Sequence, residues 1–172
     1  MDDVARLDLL RRVAASHDDR QRGKILQRLL ALAFDREGYR LVEERLSEGT
    51  DLDFCHRERR DEKYSFEVRT TEGFVVPVKD EDLRQMDERA RDGYATGIAA
   101  LRIAPGGRWV FLRREWLMPP SVRLARGTTR GWEELASRIN AAFDGVLDSH
   151  GEAAVTQGLD GLAAAIREAS KG

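Results

Sequence analysis

Two short alternating runs, DLDFC at 51–55 and YSFEVRT at 64–70, constrain the fold more than any other part of the chain. In an extended strand, successive side chains point to opposite faces. Asp51 and Asp53 therefore share one face of the first run, and Leu52 and Phe54 share the other. In the second run Tyr64, Phe66 and Val68 face a core, while Ser65, Glu67 and Arg69 face away from it. The connecting HRERRDEK, 56–63, is charged throughout and reads as a solvated hairpin connection. Antiparallel pairing of the two runs then sets their acidic faces side by side.

Helical and strand patterns surround this hairpin. Val4, Leu7, Leu10 and Val13 recur at helical spacing over 3–15, and RGKILQRLLALAFDREGY, 22–39, predicts a strong helix ended by Gly38. YRLVEERLSEGT, 39–50, predicts a short strand running into a polar loop, and FVVPV, 74–78, another strand whose Pro77 marks an edge or an end. KDEDLRQMDERARDG, 79–93, predicts a helix with acids in its first turn and Gly93 at its end. TGIAALRI, 96–103, reads as a buried strand, parallel to its neighbour across that helix, and GGRWVFLRREWL, 106–117, as a turn and a last strand. Beyond the MPPSVRLARGTTR linker, GWEELASRINAAFDGVL and GLDGLAAAIREA predict two C-terminal helices that pack on the core or serve pairing. The order predicts an α/β fold with three α/β/α layers. It divides as an N-terminal helix (1–18), a core (19–120), and a linker with a helical appendage (121–172).

Composition narrows function only slightly. The 172 residues suit one domain, and 29 basic residues against 31 acidic ones neither require nor exclude nucleic acid. A single cysteine, Cys55, permits no internal disulfide and no cysteine-based zinc site, and reads as a small buried hydrophobe in its strand. His17, His56 and His150 read as surface loop residues, Trp109 and Trp116 as core, and Trp132 as the anchor of the C-terminal helix. No phosphate-cradling glycine loop or nucleophile elbow occurs. Without a signal-peptide layout or a membrane-length apolar run, the expected location is soluble and cytoplasmic.

The acidic face carries the chemistry. Magnesium takes hard oxygen ligands, commonly one or two protein carboxylates, with substrate and water completing its shell. Asp51 and Glu67 meet that need from neighbouring strands, the Val68 carbonyl adds an oxygen, and Asp53 is the alternative carboxylate. Such a metal activates water for attack on a phosphodiester. Arg69, two positions after Glu67, lies on the same face. As a permanently charged group it cannot serve as a base, but it can orient phosphate oxygens. Arg20, Arg22, Lys24 and Arg28 around the first strong helix are candidates for neutralising DNA phosphates; Arg57, Arg59 and Arg60 crowd the hairpin.

Taken together, residues 20–118 resemble the archaeal Holliday-junction resolvases of the PD-(D/E)XK endonuclease superfamily. RGKILQRLLALAF, TDLDF, FEVRTT, VVPVKDEDLRQMDERA and RWVFLRREWL follow that family's order of elements. The resemblance implies a restriction-endonuclease-like core, a magnesium or manganese site, a branched or duplex DNA substrate, and a homodimer. It matches Asp51 to the metal aspartate, Glu67 to the glutamate of E-x-K, and Lys79 to a basic position opening the second helix. Departures occur at Gln27, where a glutamate is usual, at Thr50, where a proline is usual, and at Arg69, which takes the lysine position. Lys79 is the residue positioned to replace that lysine, with Lys63 the other nearby. Two functions from different classes stay open: a metal-dependent DNA endonuclease, and a catalytically silent nuclease fold that binds DNA or protein. A structural module that pairs through its C-terminal helices is the third.

Overall fold

The computed structural model describes residues 1–45, 50–124 and 131–172. Two helices open the chain, α1 (Asp3–Ser16) and α2 (Asp19–Arg36). Each starts at an aspartate: Asp2 accepts from the Ala5 N–H at 2.8 Å and Asp18 from the Gln21 N–H at 2.8 Å. Strands β1 (Tyr39–Glu44), β2 (Leu52–His56) and β3 (Lys63–Thr71) follow, then the short β4 (Val75–Pro77) and helix α3 (Asp80–Arg91). Strands β5 (Ala95–Arg102) and β6 (Arg108–Arg113), a short β7 (Ser121–Arg123) and helices α4 (Glu133–Gln157) and α5 (Leu159–Ala169) complete the order.

The main sheet runs β1-β2-β3-β5-β6, with β3 and β5 parallel and the other pairs antiparallel. It is therefore the mixed sheet expected, with α3 as the crossover between the two parallel strands. Strand alternation sorts the side chains into two cores. Phe54, Phe66, Ala99, Leu101, Trp109 and Phe111 meet Phe34 and the other apolar residues of α1, α2, α4 and α5 on one face. Ile98, Ala100 and Leu112 meet Leu83 and Met86 of α3, with Val76, Val78, Leu117 and Leu124, on the other. The sandwich is the three-layer α/β/α arrangement with C-terminal helices.

Several elements differ from the sequence reading. β4 does not extend the main sheet; it pairs with β7, unrecognised within the linker, as a separate two-stranded ribbon over α3's layer. α4 does not stop near residue 147 but runs on to Gln157, because Gly145 and Gly151 are packing positions rather than breaks. A Cβ on Gly151 would lie 2.3 Å from Leu9 of α1, and one on Gly145 would lie 2.3 Å from Arg36 of α2. Glycine there lets three helices approach closely. Trp116 is 51% exposed on a 3-10 turn, not core, whereas Trp109 is buried. Cys55 is only half buried. The histidines are buried or half-buried rather than surface residues, although His17 does lie in the connection between α1 and α2. His56 is buried at the end of β2, edge-on to Tyr39, and His17 donates from Nε2 to the Ala154 and Val155 carbonyls. His150 is half-buried on α4, where burial pulls its pKa down. Residues 46–49 of the expected polar loop and 125–130 of the expected linker lie outside the described residues. No helix among the described residues is long and apolar enough to cross a membrane.

Candidate phosphate and metal site

The register of the hairpin places Asp51 beside Glu67. Leu52 pairs with Phe66 and Asp53 with Ser65, and the Asp51 N–H donates to the Phe66 carbonyl at 2.9 Å, extending the ladder one step before β2 begins. The Asp51 carboxylate turns back over β3, where Oδ2 accepts from the Val68 N–H at 2.7 Å. Glu67 lies mid-strand and is 4% exposed. Arg69 follows on the same face, the one that α3 covers, and Asp82 reaches it from the first turn of α3.

Arg69 joins all of these groups. Its Nη1 stands 2.8 Å from Glu67 Oε2, 3.1 Å from the Val68 carbonyl and 3.6 Å from Asp51 Oδ2. Nη2 lies 3.3 Å from Asp82 Oδ1. The three oxygens that the sequence points to as a metal's protein ligands thus converge on one guanidinium nitrogen. Burial, and then the charge of Asp51, push the Glu67 carboxyl up to about 8, against the pull of Arg69. Burial also raises Asp51, opposed by the Val68 N–H and by Arg69. Arg69 itself is held charged by the carboxylates around it, which outweigh its own desolvation.

Magnesium does not fit these residues as they stand. A divalent ion would need the oxygens that Arg69 already engages, and it would meet a fixed positive charge there. Among the described residues, no group of three or more histidine, cysteine or acidic side chains is close enough to hold a metal ion. The carboxylates are spread around a guanidinium, which is wider than a bare ion.

The remaining candidates separate into distinct settings. Asp53 is fully buried, with Oδ2 accepting from Arg45 at 2.6 Å and Arg89 at 2.5 Å, and Oδ1 accepting from Ser65 at 2.5 Å. All its strong acceptor sites are spent on that network, which Thr50, also buried, joins through Ser65 and Arg45. Lys79 caps α3 through its backbone, which donates to Asp82 Oδ2 at 3.1 Å, and its side chain is exposed. Among the described residues it forms no ion pair within 4.0 Å with Glu67 or Asp51. Lys63 donates to the Asp92 carbonyl at 2.8 Å, at the other end of β3.

Beside Arg69 the strand ends and α2 enclose a hollow of about 190 Å³, lined by Arg20, Gly23, Lys24, Gln27, Arg45, Asp51, Val68, Arg69 and Thr70. Four of those residues are basic and one is acidic. Gln27 is buried and its amide points a donor at the Asp51 carbonyl, 3.4 Å away. Arg22 and Arg28 are drawn off by Asp19 at 2.6 Å and Glu44 at 3.1 Å and do not line the hollow. Arg45, Asp82 and Arg89 were missed by sequence reasoning. Asp82, Met86 and Arg89 recur at i, i+4 and i+7, a spacing that marks one face of α3; reading Asp82 as a helix-dipole partner hid that signal.

No protein-family model matches the chain, and no curated protein matches it. Among solved structures it is similar to Hjc of Archaeoglobus fulgidus, a Holliday junction resolvase from an archaeal hyperthermophile. The two are 15% identical with a TM-score of 0.49, over 58% of this chain and 80% of that one. The likeness is one of fold; the chemistry of this site stands on the contacts of Arg69 and the basic hollow beside it.

Proposed function

We propose that this chain is a nuclease-fold protein that binds the phosphodiester backbone of DNA without cutting it, Arg69 standing where a catalytic cation would sit. One observation carries the reading: a single guanidinium nitrogen contacts Glu67, the Val68 carbonyl and Asp51 together. The adjoining hollow supports the choice of ligand. Arg20 and Lys24 have no ion pair within 4.0 Å among the described residues, so their charge is available to a phosphate. Gln27 adds a neutral amide where a carboxylate would repel one.

A metal-dependent endonuclease is the second reading, favoured by a specific imbalance. Three carboxylates, Asp51, Glu67 and Asp82, surround one guanidinium, leaving negative charge that a divalent ion would compete for. That reading requires Arg69 to leave its place.

Incubating the protein with labelled duplex and with a labelled four-way junction, in magnesium or manganese, decides between the two. The expected result is binding with intact DNA. Cleavage that disappears in Asp51→Ala establishes the endonuclease instead, and failure to bind either DNA overturns both.

A further inference from the structure

The far end of β2 borders a second hollow rich in arginine. Asp51, Asp53 and Cys55 alternate along one face of this segment, with Asp53 in the middle buried beneath Arg45 and, from α3, Arg89. Arginines accompany each of the three positions. Arg69 meets Asp51, Arg45 and Arg89 meet Asp53, and at Cys55 a hollow of about 410 Å³ is lined by Arg40, Cys55, His56, Arg57, Arg60 and Gly172. Two residues of strand span about 7 Å, so the Asp51 and Cys55 positions stand about 14 Å apart.

Three of the six residues lining this hollow are arginines. Arg40 lies directly across the ladder from Cys55. Among the described residues neither Arg40 nor Arg60 has an ion pair within 4.0 Å. Arg57 is committed to Asp35 at 2.6 Å and to the Tyr39 carbonyl at 2.9 Å, and it forms a fixed wall. His56 is more than nine-tenths buried. Its Nδ1 accepts from the Arg59 and Glu58 N–H groups at 3.0 and 3.2 Å, which leaves Nε2 as the ring's donor. Glu58 and Asp61 of the same hairpin do not line the hollow. Two guanidinium groups with no ion pair among the described residues have the chemistry of a phosphate site.

We infer that this hollow holds a second phosphate of the DNA bound at the Arg69 end, so that the backbone runs along β2 from one basic hollow to the other. The inference rests on the proposed function and extends it from a single contact to a track. The only cysteine of the chain lies in the hollow and reports on its occupancy.

Alkylation of Cys55 by iodoacetamide is timed on the intact protein alone, with a 12-base-pair duplex, and with inorganic phosphate. Salt titrations of duplex affinity are run in parallel on the wild type, Arg40→Gln with Arg60→Gln, and Arg20→Gln with Lys24→Gln. The expected result is at least a fivefold slowing of alkylation by the duplex, with a salt slope flattened by about one in the Arg40 and Arg60 variant. If the duplex binds and depends on Arg20 and Lys24 while Cys55 reacts at an unchanged rate and the slope stays put, the second site is overturned and the first survives. If inorganic phosphate slows the reaction but no duplex binds, the hollow is an anion site for some other ligand and the track is overturned. No binding of duplex and no protection by phosphate overturns the site altogether.

Discussion

At the scale of single residues, the site is governed by where charge is buried. Glu67 faces Asp51 and Asp82 as well as Arg69, and its carboxyl is pushed up to about 8 from an ordinary value of 4.5. The folded protein therefore holds this proton more tightly than the unfolded chain does. The associated stability is fully present below about pH 4.5 and is lost as pH rises through about 8. Glu67→Gln removes that titration while leaving Asp51 and Asp82 to hold Arg69. Melting temperatures of the two proteins should thus diverge between pH 5 and 9, the variant gaining on the wild type as pH rises; a constant difference across that range contradicts the burial argument. Much at this scale was legible in the sequence. The alternation that put Asp51, Glu67 and Arg69 on one face needs only the two-residue period of a strand. What could not be read was that Arg69 bends back onto Val68 and Glu67, since a side chain's rotamer depends on Asp82, which arrives from another layer.

At the scale of elements, the hairpin and the parallel crossover were predictable because apolar alternation and flanking turn residues agree. The β4–β7 ribbon was not. Three-residue strands have no periodicity to detect, and their partners lie more than forty positions apart in the sequence. The length of α4 was missed for a different reason. A glycine reads as a helix end when its neighbours are unknown, but Gly145 and Gly151 sit where α2 and α1 press closest. Gly97 of β5 plays the same part within the sheet. A Cβ there would fall 2.1 Å from the Leu112 carbonyl of β6 and 2.8 Å from the Trp132 ring. The carbonyl belongs to a paired strand and cannot move aside. Gly97→Ala should therefore cost at least ~2 kcal/mol, read as a lower urea midpoint with tryptophan fluorescence. An unchanged midpoint would mean that β5 and β6 are not so closely apposed.

At the scale of the whole molecule, a net charge of −2 conceals two hollows rich in basic side chains. Many acidic residues are drawn into pairs with arginines, as at Arg6, whose buried guanidinium ties Asp3 of α1 to Asp144 of α4 and to the Gly106 carbonyl. Among the described residues, Arg20 and Lys24 in one hollow and Arg40 and Arg60 in the other have no ion pair within 4.0 Å. Composition could not show this, because pairing is a property of the fold. A protein arranged in this way should hold DNA through its own guanidinium groups and be weakened by salt. It should also be indifferent to divalent ions, since Arg69 already sits among the carboxylates that would recruit one. The direct measurement is the affinity for a fluorescent duplex at fixed ionic strength, with magnesium and again with the metal chelated. Equal affinities, within about twofold in Kd or some 0.4 kcal/mol, are the predicted result. Binding that requires magnesium and vanishes on chelation would contradict the assignment of Arg69 as the site's cation.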